Sequence, residues 1–316
     1  LLFLCRPLNG KGKNIILCAL CVFAVKSLFI RLLLFIEQIQ KQRIKALHVM
    51  IPSIQTIPFG TVKNLIGVFF DIDDTFTTSG KIPAVAYQAL WDLRDAGLRV
   101  VPITGRPAGW CDHIARMWPV YGIVGENGAF YFWLDQAERK LRKRFLDPDK
   151  VRAENRQRLL RIRDEILSKV PGTAIASDQL YRETDVAIDY CEDVTPLDQK
   201  AIEQICEIFQ QHGATCKVSS IHVNGWFGDY NKLGMTKTFV KELWGLDLDS
   251  VKERFLFCGD SPNDEPMFHY FPYTAGVKNV VRFVSRMKHL PSFVASREGG
   301  EGFAEIVETI LKRRAT

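Results

Sequence analysis

No internal repeat and no low-complexity tract runs through this 316-residue sequence, and its composition, 47% hydrophobic and 25% charged, is neither disordered nor fibrous. The six histidines are scattered, so no zinc-type cluster is visible. One Cys-x-x-C occurs, Cys18 and Cys21, inside an apolar run and without a second pair. The cysteines beyond residue 50 (Cys111, Cys191, Cys206, Cys216, Cys258) follow no regular spacing, which suits reduced thiols in a cytosolic protein. Excess charge is missing from most of the chain. Eight of the 42 Lys and Arg fall in 1–49 against one acid, Glu37, of 36, which leaves 34 basic and 35 acidic residues beyond. That near-neutral remainder argues against a nucleic acid or other polyanion as partner.

A long uninterrupted apolar run is also lacking. Residues 15–36 are strongly apolar, but Lys26 and Arg31 interrupt them, each costing about 2.5–3.5 kcal/mol at a membrane centre. The uncharged stretch 15–25 is too short to span. Lys11 and Lys13 precede it as in a signal peptide, yet no small-x-small site follows Val25. Residues 1–49 are therefore read first as a mis-extended start before Met50, second as a membrane anchor and third as a signal peptide. The expected location is cytoplasmic, or membrane-associated through 15–36 under the second reading.

From Leu65 onward short apolar runs alternate with amphipathic helix-length stretches, the pattern of a doubly wound parallel α/β sheet. Strands are expected at 65–70, 99–103 and 121–124, with helices at 83–96 and 111–117. The pattern then changes. Strand candidates 130–134 and 141–145 precede a long helix opened by Asp147-Pro148 and closed by Gly172. Strands at 173–177, 185–191, 215–219 and 221–226 and a helix at 196–212 follow. After Lys232 the first pattern resumes, with strands 255–258 and 274–277 and a closing helix at 302–312. The organisation expected is a core of 50–128 and 229–316 split by an inserted α+β cap domain, 129–228.

Four pieces carry chemistry. The strand Val68-Phe69-Phe70 runs into Asp71-Ile72-Asp73-Asp74-Thr75, placing carboxylates at the carboxyl end of a buried strand, where open α/β sheets bind ligands. Side chains at i and i+2 of an extended segment share a face, so Asp71 and Asp73 can address one site. Clustered carboxylates call for a hard cation, and Mg²⁺ fits; a solvated acidic turn is the competing reading. The second piece is the strand end Val101-Pro102-Ile103-Thr104-Gly105-Arg106, able to donate to phosphate oxygens but also a common strand-to-helix turn. The third is Lys232, preceded by Asn231, which alone carries no functional weight. The fourth is Phe255-Leu256-Phe257-Cys258 followed by Gly259-Asp260-Ser261-Pro262-Asn263-Asp264, a second acidic strand end.

In this order the four pieces resemble the haloacid dehalogenase superfamily, over roughly 65–312. The insert is similar to the larger α+β cap of its Cof-like and sugar-phosphatase branches, subfamily IIB. Gly125-Glu126-Asn127-Gly128-Ala129 resembles a turn in mannosyl-phosphoglycerate phosphatases, and Asp74 stands where glycine is usual. The resemblance implies a Mg²⁺-dependent phosphomonoester hydrolase working through an aspartyl-phosphate on Asp71, with Asp73 as the acid and base. It implies a metal held by Asp71, the Asp73 carbonyl and Asp260 with Asp264, and phosphoryl oxygens bound by Thr104 and Lys232 beside Gly105 and Arg106. Asn263 and Asp264 would orient Lys232 or a bound water. A phosphosugar mutase and a non-catalytic phosphosugar-binding protein are the rival readings. The expected substrate is a small phosphorylated sugar, met in the cap by Asn224, His222, Trp226, Tyr181 and Arg182. Trp226 has the alternative of a packed interface residue, and Arg182 that of a surface ion pair.

Overall fold

A computed structural model describes residues 51–219 and 221–315, so every reading of 1–49 lies outside the described residues. Ahead of the first strand, a 3-10 turn (Ile54–Thr56) and helix α1 (Phe59–Asn64) bury Ile51, Ile54, Ile57 and Val62. The core therefore begins ahead of Leu65, where the alternating pattern of the sequence sets in. Arg313 and Arg314 bind the carbonyls of Gln55, Ile57, Val62 and Leu65, pinning the segment to the last helix. Isoleucines three residues apart over one turn are too short a signal to stand out in sequence.

Strand β1 (Gly67–Phe70) is buried along its whole length, as a central parallel strand covered on both faces must be. Helix α2 (Ala84–Asp95) begins after Pro83, whose fixed φ suits a helix entry, and leads to β2 (Arg99–Pro102). Helix α3 (Ala108–Met117) begins the same way after Pro107. Strand β3 (Ile123–Gly125) follows, then β4 (Phe130–Asp135) and β5 (Lys140–Phe145). Here the structure differs from expectation. The sequence reading placed β4 and β5 in the insert and β3 in the parallel sheet, but these three strands form one antiparallel sheet that meets β2 through the bridge Ile103 to Val124. A tight turn at Glu126–Gly128 folds the chain straight back, so Phe130 and Phe132 can bury against Cys111, Ile114 and Ala115.

The insert's own layers are helices α4 (Asp149–Lys169) and α5 (Gln199–Gln211) over strands β6 (Ala174–Ile175), β7 (Val186–Asp189), β8 (Thr215–Val218) and β9 (His222–Trp226). These strands make an antiparallel sheet in the order β6-β7-β9-β8. One face carries Ile188, Val186 and Val223 into a core with Leu159, Ile162, Ile205 and Phe209 of the helices. Alternation then turns Asp185, Asp189, His222, Asn224 and Trp226 to the other face.

The chain returns through α6 (Lys232–Trp244), α7 (Leu248–Val251), β10 (Phe255–Gly259), α8 (Glu265–Tyr270), β11 (Thr274–Gly276), β12 (Phe293–Val294) and α9 (Gly299–Ala315). Strand β12 was not foreseen, being two residues long. All pairings in the core sheet are parallel, in the order β12-β11-β10-β1-β2. Val68 and Phe70 face α2 and α9, while Phe69 stacks towards Trp244, Phe255 and Phe271. This is the expected α/β architecture, a parallel sheet with added antiparallel sheets. Its register sets Phe70 level with Cys258 and Pro102, which brings Asp71, Asp260 and Thr104 together at one sheet edge. No helix among the described residues is long and apolar enough to cross a membrane.

Candidate active site

Asp71 leaves β1 almost fully buried and accepts a 2.6 Å bond from the Lys232 ammonium, which also donates to Asp264 at 2.9 Å. Lys232 reaches them because Asn231 caps α6 with a 2.9 Å bond from Gly234 N–H, placing the lysine in the first turn. Asp260 and Asp264 are set by the turn after β10. Asp264 accepts the Asp260 N–H, and a Cβ on Gly259 would lie 2.5 Å from that carboxylate, so no larger residue fits there. Thr75, to which no role was given from sequence, donates its hydroxyl to Asp260 at 3.0 Å. It is the last residue of the first motif, and that position was its only signal.

Asp71, Asp260 and Asp264 can each offer an oxygen within 4.8 Å of the others, and all three are buried. One lysine against three carboxylates leaves the cluster short of positive charge. Burial pushes the Asp71 carboxyl up to about 8, with Asp264 and Asp73 adding to the shift against Lys232. Burial, then Asp264 and Asp71, holds Asp260 well above the carboxylate range. Lys232 stays protonated because Asp264 and Asp71 outweigh the effect of burial. An all-oxygen, charge-deficient set of this kind fits a hard divalent cation. The Asp73 side chain is not part of it.

Asp73 instead lies beyond the end of β1, in a turn closed by Phe76 and Thr77 N–H bonds to the Ile72 carbonyl. The expected extended i, i+2 geometry is therefore corrected, although Asp71 and Asp73 do line one pocket. Arg106 grips Asp73 with bonds of 2.8 and 3.0 Å, and its guanidinium also lies 3.8 Å from Asp178 and 4.0 Å from Glu192 of the insert. Gly105, Arg106, Asn224, Asp260 and Asn263 line the same pocket, which leaves about 40 Å³ of water-accessible space. Thr104 is fully buried behind it, its hydroxyl accepting the Arg106 N–H at 3.0 Å. Asn263 accepts a bond from Ser261, whereas Asp264 is the residue that holds Lys232.

From the insert, Asn224 donates to Asp185 at 3.0 Å, and Asp185 together with Asp178 binds Arg182. Arg182 is buried, not a surface ion pair, and donates on to the Gly105 carbonyl at 3.2 Å. His222 sits 2.8 Å from Glu192; burial and Arg182 push it down to about 4, so it is a neutral imidazole. Trp226 is packed and stacks on Tyr230, while Tyr181 is exposed.

Glu126 stands in the turn between β3 and β4. Fully buried, it accepts the N–H groups of Ala108 (2.9 Å), Glu183 (2.9 Å) and Thr184 (2.7 Å) and the Thr184 hydroxyl. It thereby ties the start of α3 to the insert. Glu126 and Asn127 both hold positive φ, 40° and 57°, a local cost of about 1–2 kcal/mol each that these bonds offset. Gly128 follows at φ 106°, where a Cβ would lie 2.1 Å from the Asn231 carbonyl, so the turn packs directly on the entry to α6.

Residues 68–154 match the family model of the haloacid dehalogenase-like hydrolases. A Thermoplasma acidophilum protein of known structure is similar at 18% identity, with 78% of this chain and 99% of that chain covered and a TM-score of 0.61. A putative HAD/COF-like hydrolase from Plasmodium vivax matches at 17% identity, 80% and 98% coverage and a TM-score of 0.57. The sucrose-phosphatase of Synechocystis, solved with sucrose and phosphate, matches at 16%, 79% and 98%, with a TM-score of 0.54. No curated protein matches the chain. The fold is that of the haloacid dehalogenase superfamily, with an inserted cap.

Proposed function

We propose that the chain is a phosphomonoester hydrolase acting on a small phosphorylated sugar or related metabolite, with Mg²⁺ as cofactor. The observation that carries the reading is Asp71, buried at a strand end beside Lys232, Asp260 and Asp264, with Asp73 facing the same pocket. Phosphoryl transfer needs in-line positioning and charge neutralisation more than covalent assistance. Asp71 attacks phosphorus, forming an aspartyl-phosphate and splitting one displacement into two. Asp73 protonates the leaving alcohol and then takes a proton from the attacking water. Lys232 and the Thr104-Gly105-Arg106 turn bind the phosphoryl oxygens. Asp71, Asp260 and Asp264 would hold the Mg²⁺, which when bound neutralises charge between Asp71 and the phosphate.

The insert's polar sheet face supplies Asn224 and His222 to the lining of this pocket. The likeness to a sucrose-phosphatase supports a sugar phosphate as substrate. The test is phosphate release from hexose phosphates, phosphorylated glycosides, nucleotides and a phosphopeptide, with Mg²⁺ and with EDTA. Metal-dependent turnover of a sugar phosphate, abolished in Asp71→Asn, is expected. Preference for the nucleotide or phosphopeptide, or full activity in Asp71→Asn, overturns the reading.

A further inference from the structure

The tight turn at Glu126–Gly128 carries one side chain that the chemistry above does not use. Asn127 is only 9% exposed, yet its side-chain amide has no hydrogen-bond partner among the described residues. Its backbone is held at φ 57°, and its N–H donates to the Thr104 carbonyl at 3.1 Å. The amide lies against Gly105, where a Cβ would stand 3.1 Å from Oδ1 and 3.2 Å from Nδ2. Buried polar groups are as a rule hydrogen-bonded, so an orphaned amide beside the phosphate-binding turn points to a ligand.

The pocket around Asp71 and Asp73 leaves about 40 Å³, room for about three waters and not for a sugar ring. Two larger spaces adjoin it. One, a chamber of about 320 Å³, shares Asn127, Lys217 and Asn263 with the pocket and is lined on one side by the stacked rings of Trp226 and Tyr230. The other, a crevice of about 470 Å³, shares Ser219, Asp260 and Asn263 with it and carries Arg286. In the crevice Tyr190, Gln199 and Asn279 already bond to the Ser219 carbonyl, to Glu203 and to the Asp74 carbonyl. In the chamber the Asn127 amide and the Lys217 ammonium remain unengaged.

We infer that the leaving group of the substrate occupies the 320 Å³ chamber, and that the Asn127 amide binds it where it joins the phosphoryl group. This rests on the phosphomonoester hydrolase reading above. The chamber is of the size of small-molecule sites. An amide offers two N–H donors and a carbonyl acceptor, which match the oxygens and hydroxyl protons of a polyol. Trp226 and Tyr230 give the chamber an apolar side, suited to the carbon face of a ring. Asparagine also tolerates a positive φ better than most residues, which alone would account for its place in the turn. Glycine separates the two roles, because it adopts that backbone freely and carries no amide.

The test compares kcat/KM of the full chain with Mg²⁺ for two esters: the best sugar phosphate of the hydrolysis panel, and acetyl phosphate, whose leaving group is too small to fill the chamber. Asn127→Gly should fold as stably as the wild type and lower the ratio of the sugar-phosphate value to the acetyl-phosphate value about tenfold, the loss of one or two hydrogen bonds. Thr215→Trp, which fills the chamber from an exposed position on its rim, should lower the same ratio. A ratio unchanged in Asn127→Gly overturns the inference, since that is what a purely conformational asparagine gives, and so does one unchanged in Thr215→Trp. A ratio that falls in Arg286→Ala and not in Asn127→Gly places the leaving group in the crevice and overturns it too. Absence of turnover on every sugar phosphate removes the hydrolase reading, and this inference falls with it, whereas the other failures leave that reading standing.

Discussion

Replacing Glu126 by alanine removes the acceptor for three backbone N–H groups and the Thr184 hydroxyl at a fully buried position. Each buried donor left without a partner costs about 1–3 kcal/mol. The Thr184 hydroxyl can rotate away, and a water entering the vacated space can satisfy one or two of the N–H groups. The net loss should therefore be roughly 3–5 kcal/mol at pH 5.5, or a Tm lower by about 10 °C for a domain of this size. The cost also depends on pH. Burial, with Asp185 nearby, pushes the Glu126 carboxyl up from 4.5 to about 7, so the native protein keeps a proton that the unfolded chain releases earlier. That contribution to stability is complete below about 4.5 and is lost as pH rises to about 7. Expressed in full it amounts to roughly 3 kcal/mol, and the variant lacks it. Denaturant unfolding of both proteins at pH 5.5 and pH 8 should show a gap that narrows with pH. A gap below about 0.5 kcal/mol at pH 5.5, or one that widens towards pH 8, refutes the reasoning.

Lys232→Met should abolish turnover and cost about 3–5 kcal/mol in the absence of metal, because Asp71 and Asp264 lose their buried counter-charge; stability measured in EDTA checks this. Mg²⁺ at a hundredfold excess over its Kd should stabilise the protein by about 2.7 kcal/mol, seen as a rise of several degrees in Tm, and Asp260→Asn should lose most of that rise. Asn231→Ala should cost about 1 kcal/mol through the lost helix cap and lower kcat by loosening Lys232, with the change in KM smaller than that in kcat. Asp73→Asn should bind phosphate normally and lose most activity towards poor alkoxide leaving groups while retaining more towards a nitrophenolate; equal losses on both would remove Asp73 as the acid.

The alternation of buried strands with amphipathic helices and the three strand-end motifs were legible in the sequence because each is a local pattern of hydrophobic period and turn residues. Apolar runs of four to six residues ending in Asp71, Thr104 and Asp260 announce strand ends wherever they fold. Sequence does not determine which side chain finds which partner across long separations. Lys232 meeting Asp71, Arg106 gripping Asp73, and Glu126 reaching Thr184 all depend on packing between elements far apart in the chain. The same holds for the β4-β5 hairpin, whose pattern is equally at home on either sheet and whose partner was decided by the tight turn at Glu126–Gly128 and the apolar face of α3.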